Sequence, residues 1–175
     1  MLAIRYITRG LVDGSLSTLG IILGAAISGD PVVIVAAGLG GGIANAMSNL
    51  LGALMAERAG VMINLAIYER DMVGSDIRLK DTKIYKKERK RIWISGISDA
   101  GATFFGGVLP VAPFAFMSVD TAVMISIILT LVLLFGLGVY LGRLSRENMV
   151  LAGIKMAVFG LVTACLAMSL EIFFK

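Results

Sequence analysis

The chain alternates long apolar stretches with short polar breaks. Five stretches, 11–28, 32–56, 92–117, 119–141 and 149–173, meet or approach the about 20 apolar residues that a helix needs to cross a bilayer. The pattern predicts an all-α membrane protein with five transmembrane helices in a single domain, 1–175. The breaks have chemical causes: Gly29-Asp30-Pro31 is a turn sequence, Ser118-Val119-Asp120 opens a new helix, and 143–148 is too polar for hydrocarbon. Pro110 and Pro113 are expected to kink the end of the third helix.

The connector 57–91 is mixed. Val61, Met62, Leu65, Tyr68 and Met72 recur at helical spacing, so helix two is expected to run on into the cytosol as an amphipathic segment. Gly74-Ser75 is expected to end it, and charges dominate beyond Ile77.

Composition strengthens the membrane assignment: 58% of residues are hydrophobic and the mean hydropathy is +0.91, where soluble domains hold roughly half. Of the 16 Lys and Arg, ten fall within 57–91, Arg5 and Arg9 precede helix one, and Arg143 and Arg146 join helices four and five. The loops near Asp30 and Ser118 carry no cation. Positive charge gathers on the cytosolic side of membrane proteins, so an N-in, C-out arrangement is predicted, with Lys175 external. The net charge of +4 therefore reports topology and contact with anionic lipid rather than nucleic acid. A cleavable signal peptide would also explain Arg5 and Arg9 ahead of an apolar stretch, but no clean Ala-x-Ala site follows, and helix one is expected to stay.

Zero His and the single Cys165 exclude imidazole or multi-Cys metal cages, a Ser-His-Asp triad and an intrachain disulfide framework. Cys165 sits among apolar residues and reads as a packed thiol. Any metal would be held mainly by oxygen, with methionine sulfur as the one further donor to consider.

Successive helical residues advance about 100°, which places Gly10, Asp13, Ser17, Gly20 and Gly24 on one face of helix one. An aspartate at the centre of a spanning helix costs about 2.5 to 3.5 kcal/mol, and close packing of small residues gives no reason to keep one. Helix two repeats the stripe with Gly38, Gly42, Asn45, Asn49, Gly52 and Ala56. Interhelical hydrogen bonding and cation coordination explain its carboxamides equally well. Helix three adds Ser95, Asp99, Thr103 and Gly106, and Asp99 could simply be hydrogen-bonded to a neighbour. Together Asp13, Asn45, Asn49 and Asp99 describe an oxygen-lined path suited to hard or borderline divalent cations. On helices four and five, Gly138, Gly142, Gly153 and Gly160 read as a packing seam.

The segments GLVDGSLSTLGIILGAA at 10–26 and GGVLPVAPF at 106–114, with the Gly-rich second helix between them, resemble the vacuolar iron transporter family. The resemblance implies a homodimer whose first helices line a central path and export Fe²⁺, Mn²⁺ or a similar metal from the cytosol in exchange for protons. Asp13 stands where that family has its pathway aspartate. A family methionine and glutamate on helix two are replaced by Asn49 and Ala53. The family's acidic cytosolic region is reduced here to Glu57, Glu69, Asp71, Asp76, Asp81 and Glu88. Glu57 and Glu69 join the candidate metal ligands, and Met62, Glu69, Met72 and Asp76 could share one helical face.

The expected partners are thus a divalent metal ion and protons as substrates, the lipid bilayer and a second copy, with no permanently bound cofactor and no nucleic acid. The membrane would be the cell membrane in a prokaryote and the vacuolar membrane in a eukaryote. A non-transporting scaffold or metal sensor is the main alternative. A membrane phosphatidyltransferase also carries Asp-Gly near a helix end, but the D-x-x-D-G-x-x-A-R pattern fails around Asp13-Gly14, and no enzyme activity is expected.

Overall fold

The computed structural model describes residues 2–71 and 83–174. Among the described residues five α-helices follow one another: α1 (Leu2–Ala25), α2 (Pro31–Asp71), α3 (Lys83–Val111), α4 (Val119–Ser145) and α5 (Met149–Phe174), with 3₁₀ turns at Ala26–Ser28 and Ala112–Ala115. Each α-helix contains a span long and apolar enough to cross a membrane. The protein is an all-α, multi-pass membrane protein.

The ends of the helices follow local chemistry. Gly29 takes a left-handed φ of 66°, which costs glycine little. Asp30 Oδ1 then accepts the Val32 N–H at 2.8 Å, capping a helix whose first residue is Pro31. Asn148 Oδ1 caps α5 in the same way, accepting the N–H groups of Val150 at 3.1 Å and Leu151 at 3.3 Å. At Pro110 the helix loses an N–H, and α3 tightens into the 3₁₀ turn one residue after Val111. The Ser126 hydroxyl on α4 donates to the Pro110 carbonyl at 2.6 Å.

Helix α1 begins earlier than the apolar pattern suggests, so Arg5 and Arg9 lie within it rather than ahead of it. Helix α2, with 41 residues, is about 60 Å long, twice the thickness of hydrocarbon. Its far part is amphipathic only in places: Leu65 is buried, Val61 and Met62 are half-buried, and Tyr68 is exposed. Met72, Gly74-Ser75, Asp76 and Asp81 lie outside the described residues.

Glycines set the approach of the helices. Helices α1 and α3 make the most extensive contact in the bundle. At Gly10 and Gly14 a Cβ would collide with the backbone carbonyls of Asp99 and Thr103, and at Gly106 it would stand 2.6 Å from the Leu11 carbonyl oxygen. The α4–α5 seam works alike, a Cβ on Gly138 falling 2.6 Å from the Ala152 carbonyl oxygen. Leu19, Ile22, Leu23, Ile34, Val111 and Phe114 form an apolar core at the end of the bundle where α1 finishes and α2 begins. The polar residues of α1, α2 and α3 occupy the other half.

Candidate functional site

Steps of four residues build the site on each helix: Arg9, Asp13 and Ser17 on α1; Asn45, Asn49, Ala53 and Glu57 on α2; Asp99 and Thr103 on α3. The glycines of the α1–α3 contact bring these three rows within hydrogen-bonding reach. Asn49 Nδ2 donates to Asp13 Oδ2 at 2.6 Å and to Thr103 Oγ1 at 2.9 Å. Asn45 Nδ2 donates to the same Asp13 oxygen at 3.1 Å and to Ser17 Oγ at 2.8 Å. Thr103 passes its own proton to the Asp99 carbonyl at 2.9 Å, and Ser17 donates to the Asp13 carbonyl at 2.6 Å. Both amide groups therefore spend their N–H donors inside the network. Among the described residues, Asp13 Oδ1 and the two carboxamide oxygens accept no side-chain hydrogen bond.

A second charged layer lies one turn away. The Arg9 guanidinium grips both carboxylate oxygens of Asp99, Nε reaching Oδ1 at 3.3 Å and Nη2 pairing with Oδ2. Asp99 is 0% exposed while the Arg9 side chain is 56% exposed, so the pair closes a buried carboxylate with a half-solvated cation. The guanidinium also sits 5.4 Å from the centroid of the Tyr6 ring. The Tyr6 hydroxyl in turn donates to Glu57 Oε1.

These groups surround a cavity of about 420 Å³ lined by Tyr6, Arg9, Asp13, Asn49, Ala53 and Glu57 among others. An adjoining space of about 650 Å³ shares Tyr6, Arg9, Asp13 and Glu57 and extends to Leu141 on α4 and Met156 on α5. Asp13, Asn45 and Asn49 are thus brought together, and α2 carries Glu57 into the same cavity. Asp99 is nearby, but its carboxylate is engaged by Arg9. Glu69 stands apart, about 18 Å farther along α2 than Glu57. Among the described residues no three acidic or Cys side chains converge as a metal cage; the cavity holds the Asp13 and Glu57 carboxylates, and the Asn45 and Asn49 amides turn their N–H groups toward Asp13.

Comparison with known proteins agrees with this architecture. A sequence profile of the VIT family matches residues 56–170. An uncharacterized protein of Methanocaldococcus jannaschii is 45% identical over 167 residues, covering 95% of this chain and 87% of its own length. The chain belongs to the VIT family. Membership points to a transporter of metal ions and to an integral multi-pass membrane protein.

In this VIT-family chain the profile begins one residue before Glu57, beyond Asp13, Asn45 and Asn49, while the archaeal relative extends over nearly the whole chain. Sequence reasoning missed two members of the site. Arg9 reads as a topology anchor, yet its spacing of four from Asp13 already puts it on the polar face. Tyr6 gave no signal beyond its position three residues before Arg9.

Proposed function

We propose that this protein moves a divalent metal ion of the Fe²⁺ or Mn²⁺ class out of the cytosol with protons travelling in return, and that Asp13 is the principal ligand. The observation that carries the reading is the Asp13 carboxylate lining a cavity between α1 and α2, with Asn45 and Asn49 fixed against one of its oxygens. A carboxamide presents N–H to an empty carboxylate and, turned about its last torsion, presents C=O to a cation. The same two residues can therefore satisfy Asp13 without metal and add neutral oxygen ligands with it. Oxygen donors of this kind suit hard and borderline dications.

A dication calls for more negative charge than one protomer supplies. Gly20 and Gly24 continue the Asp13 face of α1, and a Cβ on either would meet nothing within 4 Å. A second copy against that open face would bring a second Asp13 to a central path, making a homodimer with two carboxylates per site. Glu57, at the cavity mouth, adds a capture point on the side of the basic connector, taken as cytosolic. Proton return follows from competition: a carboxylate relieved of its dication is free to take a proton.

The test is uptake by purified protein in proteoliposomes carrying a metal-sensitive dye, with Fe²⁺, Mn²⁺ and Zn²⁺ in parallel. Metal flux is expected in the native chain and its loss in Asp13→Asn. Normal flux in Asp13→Asn would remove the mechanism, and metal binding without flux would mark a sensor.

A further inference from the structure

We infer that the groove between α2 and α3 just outside the apolar spans binds the phosphate headgroup of an anionic phospholipid, gripped between Arg58 and Arg89. The inference is independent of the ion path. Counting about 20 residues from Pro31 along α2 ends near Leu51, and counting the same number back from Val111 on α3 ends near Arg91. Leu54, Met55 and Arg58 on one helix and Arg89 and Trp93 on the other therefore straddle the edge of the hydrocarbon.

The two helices meet closely beneath this point, where a Cβ on Gly96 would stand 3.1 Å from Leu54 Cδ2. Above it they part around a cavity of about 450 Å³ lined by Leu54, Met55, Arg58, Tyr85, Arg89 and Trp93. Arg58 and Arg89 are exposed, and among the described residues neither has an acidic partner. The neighbouring Arg91, by contrast, pairs with Glu88 at 3.5 Å, and Arg9 pairs with Asp99. Two guanidiniums lining one groove from different helices repel one another, and an anion between them relieves that repulsion. Their planar forks match phosphate oxygens two at a time.

The rest of the lining selects a lipid over a free anion. Met55 is 72% exposed and Trp93 50% exposed, so the groove offers apolar surface on the hydrocarbon side of its two cations. Trp and Tyr favour this depth because an apolar ring with a polar edge fits the headgroup level. Basic pockets between spanning helices at one membrane surface recognise acidic headgroups in this way.

Trp93 is the single tryptophan of the chain and lines the groove, so it reports occupancy directly. The full-length protein is reconstituted into phosphatidylcholine vesicles containing either brominated phosphatidylglycerol or brominated phosphatidylcholine, and quenching of Trp93 is followed. Brominated phosphatidylglycerol is expected to quench at a several-fold lower mole fraction. Arg58→Gln/Arg89→Gln should erase that preference, and Lys86→Gln/Lys87→Gln, which removes two nearby exposed cations, should leave it. Equal quenching by the two lipids in the native chain overturns the proposal. Equal loss of preference in the lysine variant does so too, since diffuse surface charge would then suffice. Displacement of the phosphatidylglycerol signal by low millimolar inorganic phosphate would show a site for the free anion and would also overturn it. If the double arginine variant does not fold, Arg89→Gln alone is expected to weaken the preference, and an unchanged preference there counts against the site.

Discussion

Arg9 on α1 holds both oxygens of the Asp99 carboxylate on α3, one helical turn from the Asp13 that faces the cavity. The arrangement separates two carboxylates that the sequence places on comparable polar faces. Asp99 is buried and neutralised by a tethered cation, while among the described residues the Asp13 carboxylate accepts side-chain hydrogen bonds from neutral amides only.

The Arg9–Asp99 pair is asymmetric in burial, and so is its expected energetics. Arg9→Gln strands a fully buried carboxylate and is expected to cost about 3 kcal/mol or more. Asp99→Asn frees an arginine that is already 56% exposed, with an expected cost of about 1 kcal/mol. Thermal unfolding of the detergent-solubilised variants ranks them, and the double variant should be more stable than Arg9→Gln alone. Equal losses would show that the buried carboxylate is not the costly partner.

Asn49 makes the shorter bond to Asp13, 2.6 Å against 3.1 Å from Asn45, and it also ties Asp13 to α3 through Thr103. Asn49→Ala is therefore expected to weaken metal binding about 10-fold or more, in the range seen when groups orienting a ligand are removed, and Asn45→Ala less. Titration calorimetry with Mn²⁺ measures both. The reverse order would assign the main supporting role to Asn45.

Gly14 and Gly24 lie on one helix but answer to different neighbours. Gly14→Ala drives a methyl group into the Thr103 carbonyl and is expected to destabilise the fold by about 3 kcal/mol. A methyl group at Gly24 meets no side chain and no atom of another helix within 4 Å, so Gly24→Ala should not destabilise the protomer and, by helix propensity, stabilises it by up to about 1 kcal/mol. If the proposed second copy covers that face, Gly24→Ala reduces the dimer fraction in crosslinking of vesicle-embedded protein. An unaltered dimer would place the contact elsewhere.

Thr18 is 0% exposed, and its hydroxyl has no hydrogen-bond partner among the described residues. It stands near Gly107 and Gly42. Thr18→Val keeps the shape and removes the unsatisfied group, so a gain of about 1 kcal/mol is expected in thermal unfolding. A loss of stability would reveal a partner for the hydroxyl, an ordered water in particular.

Much of this protein follows from the linear chain because membrane helices obey local rules. Apolar length decides the five spans, Asp30 and Asn148 cap the helices that follow them, and a period of 3.6 residues puts Asp13 with Ser17 and Asn45 with Asn49 on single faces. These are properties of one helix at a time. Helical period gives an angle around each axis, but it says nothing of which neighbour occupies that angle or at what height. Packing of Gly14 and Gly106 across α1 and α3 settles both, and it unites Arg9 with Asp99 across 90 positions of sequence. It likewise sets Asn49 between Asp13 and Thr103 and carries Glu57, which reads as part of a solvated connector, back to the Tyr6 hydroxyl at the cavity mouth.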